Sequence, residues 1–268
     1  MSGDAGIDRM IVAGFCAFLG LFVGSFLNVV IYRVPAGESV VKPRSRCPKC
    51  GTQITSVDNI PVLSWLILRG KCRSCGVHIS ARYPLIELGT AGLFGCVGFW
   101  LGPAWDLPAF LYLAAIGIAL TMIDLDTRRL PNAIVLPSYG VALALLGVAG
   151  VADDRLFDLG RACAGGVIAF GVYFLLALIY PAGMGFGDVK LAGVLGIYLG
   201  WVGWPSLAVG IFAAFLIGAV IGLALMAAGR GGRKTAVPFG PFMVVGTFVG
   251  LWAGPAIVGL YFSVLGLS

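Results

Sequence analysis

The stretch from residue 107 to residue 132, LPAFLYLAAIGIALTMIDLDTRRLPN, decides the class of fold. Its first part, up to Ile123, is apolar and lies in the length range of a transmembrane helix, about 17–25 residues. Two carboxylates, Asp124 and Asp126, follow the apolar run, and Pro131 prevents the helix from continuing. Because carboxylates beside hydrocarbon are costly, acids in this position indicate a functional site.

The composition of the whole chain predicts a polytopic membrane protein. Of its 268 residues, 59% are hydrophobic and 11% charged, whereas soluble domains carry about 25% charged residues. The mean hydropathy is +1.00. The net charge of +6 does not indicate nucleic-acid binding, because the basic residues lie between apolar runs, as topology determinants do. We expect the lipid bilayer as a partner and no nucleic acid.

About eight apolar runs are candidates for transmembrane helices in an all-α fold. The sixth run is the shortest, so we expect it to be tilted or partly buried in protein. The runs cover residues 10–32, 83–101, 107–123, 132–148, 161–180, 189–201, 205–228 and 241–266.

The distribution of lysine and arginine predicts the orientation in the membrane. If the hydrophilic segment 33–82 lies in the cytoplasm, strict alternation places 15 of the 18 basic residues on that side, including a basic turn at 229–234. Asp124 and Asp188 then both fall at cytoplasmic helix ends. Their position follows from the alternation and was not used to set the orientation.

Four cysteines of the segment 33–82 form two C-x-x-C pairs, Cys47 with Cys50 and Cys72 with Cys75. The pairs are separated by 21 residues, a spacing typical of a structural Cys₄ zinc site. A segment this short cannot form a large hydrophobic core, so it needs a bound metal or disulfides to stabilise its fold. Two disulfides are the alternative, which a reducing cytoplasm disfavours. We therefore predict a small cytoplasmic zinc-ribbon-like loop domain between the first two helices.

A second polar stretch, GMGFGDVK at residues 183–190, follows the fifth apolar run. Glycines alternate at Gly183, Gly185 and Gly187, and Asp188 opens the sixth run. Glycine permits unusual backbone angles and close approach by another chain. Such a stretch is suited to holding an extended peptide through its backbone, and we expect Gly185 and Gly187 to border the site.

Asp124 and Asp188 are the predicted catalytic pair. In peptide hydrolysis an ionised carboxylate takes a proton from water, while a protonated one gives a proton to the carbonyl oxygen or the leaving amine. Asp188 starts a helix, where the dipole favours the anion, and Asp124 ends one, so we assign the resting proton to Asp124. The residues thus predict an intramembrane aspartyl protease.

Three further features are candidates for bordering the site. Asp126 lies about 200° around the helix from Asp124, so the two cannot face one partner; we expect Asp126 to face water or a neighbouring arginine. Glu87, in the second run, is either an interfacial acid paired with a base or a third polar group of the site. The segment VPFGPF at 237–242 is expected to form a rigid re-entry beside the site.

Seven segments together are similar to the type IV prepilin leader peptidases, also called prepilin peptidase/N-methyltransferases. The resemblance runs along nearly the whole chain, although the family often has Asp at the position of Asn132. The segments are GSFLNVVIYR at 24–33, RCPKCG at 46–51, DNIPVLSW at 58–65, RYPLIE at 82–87, Asp124 with LPN at 130–132, GMGFGDVKL at 183–191 and PFGPF at 238–242.

The resemblance implies that Asp124 and Asp188 are catalytic aspartates at the cytoplasmic face of a bacterial inner membrane. The implied substrates are type IV prepilins and type II secretion pseudopilins, whose short basic leader is cut off after a glycine. Members with the four-cysteine loop usually also methylate the new N-terminus with S-adenosylmethionine. No methyltransferase fingerprint supports that second activity from the residues themselves.

The expected domains are a first transmembrane helix (1–32), the zinc-binding loop (33–82) and a transmembrane aspartyl protease core (83–268). Two alternatives remain open, one of them an enzyme and the other a transporter. One is a peptidase without methyl transfer. The other is a proton- or ion-coupled transporter that uses the paired aspartates, against which stands the lack of the internal repeats common in transporters.

Overall fold

The computed structural model describes residues 2–47, 49–181, 183–229 and 237–266, with side chains from Gly6 onward. Apart from Gly229, the predicted basic turn at 229–234 lies outside these residues.

The described residues confirm the predicted all-helical fold, with eight long helices and a short α2. Seven of the long helices are long and apolar enough to cross a membrane. A one-turn 3₁₀ helix, Val57–Asn59, precedes α2 in the hydrophilic segment. The helices are α1 (Ser2–Arg33), α2 (Leu63–Ile67), α3 (Arg82–Leu101), α4 (Leu107–Thr127), α5 (Asn132–Ala152), α6 (Leu156–Ile179), α7 (Phe186–Val202), α8 (Trp204–Ala227) and α9 (Gly240–Val264).

The short helix α7 is enclosed by protein, as its length predicted. Its 17 residues span about 26 Å, less than the roughly 30 Å of a bilayer's hydrocarbon core. From Leu191 to Trp201 every residue is buried. The neighbours that cover it are α5, α6, α8 and α9.

Glycines allow the backbones of α6 and α7 to touch. A Cβ on Gly196 would lie 2.5 Å from the carbonyl oxygen of Gly165, and one on Gly200 would lie 2.7 Å from that of Arg161. Small residues of this kind are typical of close helix contacts in membranes. The Arg161 side chain also donates hydrogen bonds to the carbonyls of Gly200 and Trp201, which satisfies the last turn of α7.

The start of α6 differs from the prediction by five residues. The fifth predicted apolar run begins at residue 161, but the helix already begins at Leu156. Asp158 lies in the first turn and pairs with Arg155 and Arg161 at 2.7 and 2.9 Å. An acid near a helix N-terminus is favourable, so these charges extend the helix.

The chain divides into two compact units, one ending at Ala119 and the other beginning at Leu120. In the first unit α1 packs on α3, where a Cβ on Gly24 would lie 2.7 Å from the Cα of Glu87. The second unit contains α5 to α9 and the last turns of α4, and therefore both predicted catalytic aspartates.

Substituting Gly196→Ala is expected to lower the stability of the protein by about 1–3 kcal/mol, because the added methyl group overpacks the contact with Gly165. The matched control is Gly171→Ala on α6, where a Cβ meets nothing within 4 Å. Thermal unfolding in detergent measures both variants. Equal melting temperatures for the two would contradict the close α6–α7 contact.

Candidate active site

Asp124 lies in the last turn of α4 and is 5% exposed. The helix closes after it, because the N–H of Arg128 donates to the Asp124 carbonyl at 2.8 Å and Arg128 takes a left-handed φ of 53°. The Asp124 carboxylate oxygen Oδ2 accepts a hydrogen bond from the N–H of Gly240 at 3.0 Å. The first residue of α9 thus holds one oxygen of this carboxylate.

Asp188 is the third residue of α7, and its side chain caps the helix start. Its Oδ2 accepts a hydrogen bond from the N–H of Gly185 at 3.1 Å. The first N–H groups of a helix lack partners within the helix, so an acid at this position is favourable. The same hydrogen bond therefore stabilises the start of α7 and fixes the Asp188 carboxylate.

Asp124 and Asp188 both lie in the second compact unit, one at the end of α4 and the other at the start of α7. They lie within electrostatic range, since the charge on Asp124 acts on Asp188. Neighbouring carboxylates do not readily ionise together. Such a pair has the groups that acid–base catalysis on water requires.

The loop after α4 and the helix α5 both contact the start of α7, the helix that carries Asp188. A Cβ on Gly187 would lie 3.2 Å from the Cβ of Leu130. Lys190 Nζ donates to Asn132 Oδ1 at 3.0 Å, and the Tyr139 hydroxyl donates to the Lys190 carbonyl at 2.6 Å. No local spacing in the sequence indicates that Asn132, Tyr139 and Lys190 meet, so their contacts could not be predicted from it.

The glycines beside Asp188 serve close packing, and the expected unusual backbone angles are absent at Gly185 and Gly187. Gly185 has a φ of −77° and a ψ of 148°, and Gly187 lies in the first turn of α7. Both conformations are open to other residues. A Cβ on Gly185 would instead lie 3.3 Å from Oδ2 of Asp188, which shows how tightly the capped turn is closed.

Asp126 is exposed on α4, two residues beyond the buried Asp124. The helix places its side chain about 200° around from that of Asp124. Its predicted position at the border of the site stays a prediction.

Glu87 lies in the first unit, where it holds the hydrophilic segment. It is 8% exposed, and its Oε2 accepts a hydrogen bond from the N–H of Val62 at 2.7 Å. The Ser25 side chain is a second hydrogen-bond partner. Val62 has a φ of 61°, a conformation that costs a β-branched residue about 1–3 kcal/mol and needs support from its surroundings. The expectation that Glu87 borders the catalytic site stays untested.

The four cysteines of the C-x-x-C pairs come together, as their spacing predicted. All four Sγ atoms lie within 4.8 Å of one another, and those of Cys47 and Cys75 are 3.8 Å apart. Zinc–sulfur bonds of about 2.3 Å in a tetrahedron separate two sulfurs by about 3.8 Å. The cluster therefore has the dimensions of a metal site.

The two knuckles share one backbone geometry. In each, the glycine after the second cysteine donates to the carbonyl of the first, at 3.0 Å for Gly51 to Cys47 and 2.9 Å for Gly76 to Cys72. Gly51 and Gly76 have φ values of 70° and 68°, the left-handed region that favours glycine. This turn directs both thiols of a pair to one side.

Hydrogen bonds favour the thiolate at Cys50 and Cys72, whereas burial and hydrogen bonds with the other cysteines raise the pKa of Cys75 to about 11. Hydrogen bonding with Thr52, through its side chain and backbone, lowers the pKa of the Cys50 thiol to about 6. The thiolate is the form that binds metals. Arg73, inside the second knuckle, donates to Asp58 at 2.6–3.0 Å and so lowers the pKa of that carboxyl.

Two family models match the chain. The model of the bacterial peptidase A24 N-terminal domain matches residues 18–101, which contain the cysteine cluster. The model of the type IV leader peptidase family matches residues 111–223, which contain Asp124 and Asp188.

Several relatives carry the name prepilin leader peptidase/N-methyltransferase. The chain is 37% identical over 273 residues to the one from Stutzerimonas stutzeri, with 92% of both chains covered. Identity is 36% over 276 residues to that of Pseudomonas aeruginosa, with 93% of both covered. It is 41% over 262 residues to that of Neisseria gonorrhoeae, with 87% of both covered. No solved structure matches the chain at a significant level.

Replacing Glu87→Ala is expected to loosen the hydrophilic segment, because the half-buried Val62 N–H loses its acceptor, at a cost of about 1–3 kcal/mol. Trypsin should then cut after Arg69 several-fold faster, as measured by mass spectrometry of timed digests. Glu87→Gln keeps an acceptor oxygen and should digest at nearly the wild-type rate.

The control is Glu38→Ala, which changes an exposed glutamate of the same segment. If Glu87→Ala resists trypsin as well as this control does, the Glu87–Val62 hydrogen bond does not hold the segment.

Proposed function

Because the chain belongs to the type IV leader peptidase family, we propose that it is an aspartic endopeptidase that removes the basic leader of type IV prepilins and type II secretion pseudopilins. The observation that carries the proposal is the pair of carboxylates, one buried at the end of α4 and one capping α7. The names of the relatives support the same substrate class.

In the proposed first step, Asp188 takes a proton from water while the water oxygen attacks the scissile carbonyl carbon. Asp124 gives its proton to the carbonyl oxygen, and a tetrahedral diol forms. In the second step a diol hydroxyl returns a proton to Asp124, and Asp188 protonates the leaving nitrogen as the C–N bond breaks. Both carboxyls regain their starting states, so the pair turns over without a further reactant.

The membrane supports this assignment of substrate. An apolar helix that follows a basic leader is held in the bilayer, while the leader stays at the surface. We propose that the surface is the cytoplasmic face of a bacterial inner membrane, as the positions of the basic residues predict.

We propose that Cys47, Cys50, Cys72 and Cys75 bind one Zn²⁺ ion in the loop domain 33–82, beside a protease core in 83–268. Four thiolates leave no coordination position open, so the ion would be structural and would fix the two knuckles relative to each other. The distances between the sulfur atoms support this binding.

We further propose that the new N-terminal amine is methylated, because the relatives are named for that activity as well. The methyl group would pass from the sulfonium of S-adenosylmethionine to the amine nitrogen, which loses a proton, leaving S-adenosylhomocysteine. We assign none of the described residues to this cofactor. A peptidase without methyl transfer is the alternative.

Asp124→Asn and Asp188→Asn are each expected to lower the rate of prepilin cleavage at least 100-fold, roughly the contribution of a general acid or base. Purified protein in detergent is mixed with a prepilin and S-adenosylmethionine, and mass spectrometry reads the products. Asp126→Asn is the matched control on the same helix and should still cleave the scissile bond of the prepilin.

Cleavage by both dyad variants at the wild-type rate would refute the aspartic mechanism. A wild-type product that gains the mass of one methyl group would support methyl transfer as the second activity. A product without that gain would support a peptidase alone.

The purified chain is expected to contain about one zinc ion per molecule, measured by plasma mass spectrometry. Cys50→Ser and Cys75→Ser each remove one ligand and should lower this content several-fold. Cys163→Ser, which changes an exposed lone cysteine of α6, is the control and should leave it unchanged. Equal zinc content in all variants would argue against a Cys₄ site.

A further inference from the structure

The hydrogen bond from Gly240 to Asp124 joins positions 116 residues apart in the sequence. It is buried, and its donor is a backbone N–H at the start of α9, which has no acceptor within its own helix. The acceptor is Oδ2 of Asp124, at 3.0 Å. A donor fixed in the backbone holds this oxygen more rigidly than a side-chain donor would.

Glycine is required at residue 240 for space and not for its backbone conformation. Gly240 is absent from the residues with positive φ, so other amino acids could adopt its angles. A Cβ, however, would lie 2.8 Å from Oδ2 of Asp124 and 3.4 Å from its Cγ. Since the obstructed atom is the end of a side chain, a methyl group here would displace the carboxylate and spare the backbone.

Aromatic packing fixes the position of the Gly240 N–H. The ring of the preceding residue, Phe239, lies 5.2 Å from that of Phe215 on α8 and 6.2 Å from that of Tyr173 on α6, measured between centroids. Phe242 on α9 adds a third ring at 6.1 Å. Three helices thus determine where the donor lies relative to Asp124.

We propose that Gly240 is a positioning residue that holds Oδ2 of Asp124, so that the transferable proton is carried on Oδ1. A protonated carboxyl has one carbonyl oxygen and one hydroxyl oxygen, and the carbonyl oxygen is the better acceptor of an N–H. This inference rests on the proposed function, in which Asp124 donates a proton to the scissile carbonyl.

Asp188 shows the same arrangement from its own loop. Its Oδ2 accepts the N–H of Gly185 at 3.1 Å. Each member of the pair therefore has Oδ2 held by a glycine N–H, which assigns Oδ1 of Asp124 to proton donation and Oδ1 of Asp188 to the water. Backbone groups, which do not titrate, thereby orient both carboxyls before substrate arrives.

A purely structural role for the contact predicts a different result from a positioning role. If Asp124 only caps α9, changes at Gly240 lower the stability of the fold. If Gly240 orients the carboxyl, they lower kcat and leave KM and stability nearly unchanged, because the displaced group acts on the bound substrate.

The test is Gly240→Ala, compared with two other glycines of α9 in the prepilin cleavage assay. Gly259→Ala adds a methyl group that meets nothing within 4 Å. Gly250→Ala adds one 2.5 Å from the carbonyl oxygen of Ser206 on α8 and so strains helix packing away from Asp124. Melting temperature, kcat and KM are measured for each variant.

We expect Gly240→Ala to lower kcat about 10- to 100-fold, with KM within about 2-fold and the melting temperature near that of Gly259→Ala. Gly250→Ala should lower the melting temperature more and kcat less. Phe239→Leu, which loosens the aromatic packing without adding a Cβ, should lower kcat about 3- to 10-fold and decides the matter if Gly240→Ala does not fold.

The inference is overturned if Gly240→Ala has the kcat of the wild type. If Gly240→Ala does not fold, a wild-type kcat in Phe239→Leu overturns it. It is also overturned if kcat falls in proportion to the melting temperature across the α9 variants. The failure of the proposed function has a different signature. If the wild type does not cut, or Asp124→Asn does, both proposals fall. If the wild type cuts and Asp124→Asn does not, the proposed function stands, and the results for Gly240→Ala test the role of Gly240 alone.

Discussion

The close approach of α6 and α7 is the constraint on which the second unit depends. Side chains ordinarily keep packed helix axes about 8–10 Å apart, but Gly165, Gly196 and Gly200 let backbone meet backbone. In a bilayer the hydrophobic effect does not draw helices together, so contacts of this kind must supply the association. They enclose α7 and thereby fix the first turn, where Asp188 lies.

The two catalytic candidates receive their environment by different routes. Asp188 is organised locally, by the N–H of a residue three positions earlier. Asp124 is organised from a distance, by the start of α9. The first arrangement can form with its own helix turn, whereas the second exists only once α9 has packed. The pair therefore becomes complete only when the second unit has assembled.

The parts of this molecule that follow from local chemistry were predictable from sequence, and those that depend on distant contacts were not. Apolar runs predicted the long helices, and the two C-x-x-C knuckles predicted a thiol cluster, because each knuckle turn is set by its own glycine. The loop re-entry at 237–242 was expected to border the site, but nothing in its composition indicated that Gly240 donates to Asp124. Likewise the contact of Tyr139 with Lys190 joins two helices whose side-by-side placement no periodicity reveals.

The enclosure of α7 also governs how the protein responds to the thickness of its membrane. Hydrophobic mismatch costs a fraction of a kcal/mol per Å and makes lipid-facing helices tilt or deform the bilayer. From Leu191 to Trp201, α7 presents no lipid-facing surface, so the acyl chains contact only the longer helices around it. Changes in lipid chain length therefore act on those outer helices, while the helix that carries Asp188 is insulated from them.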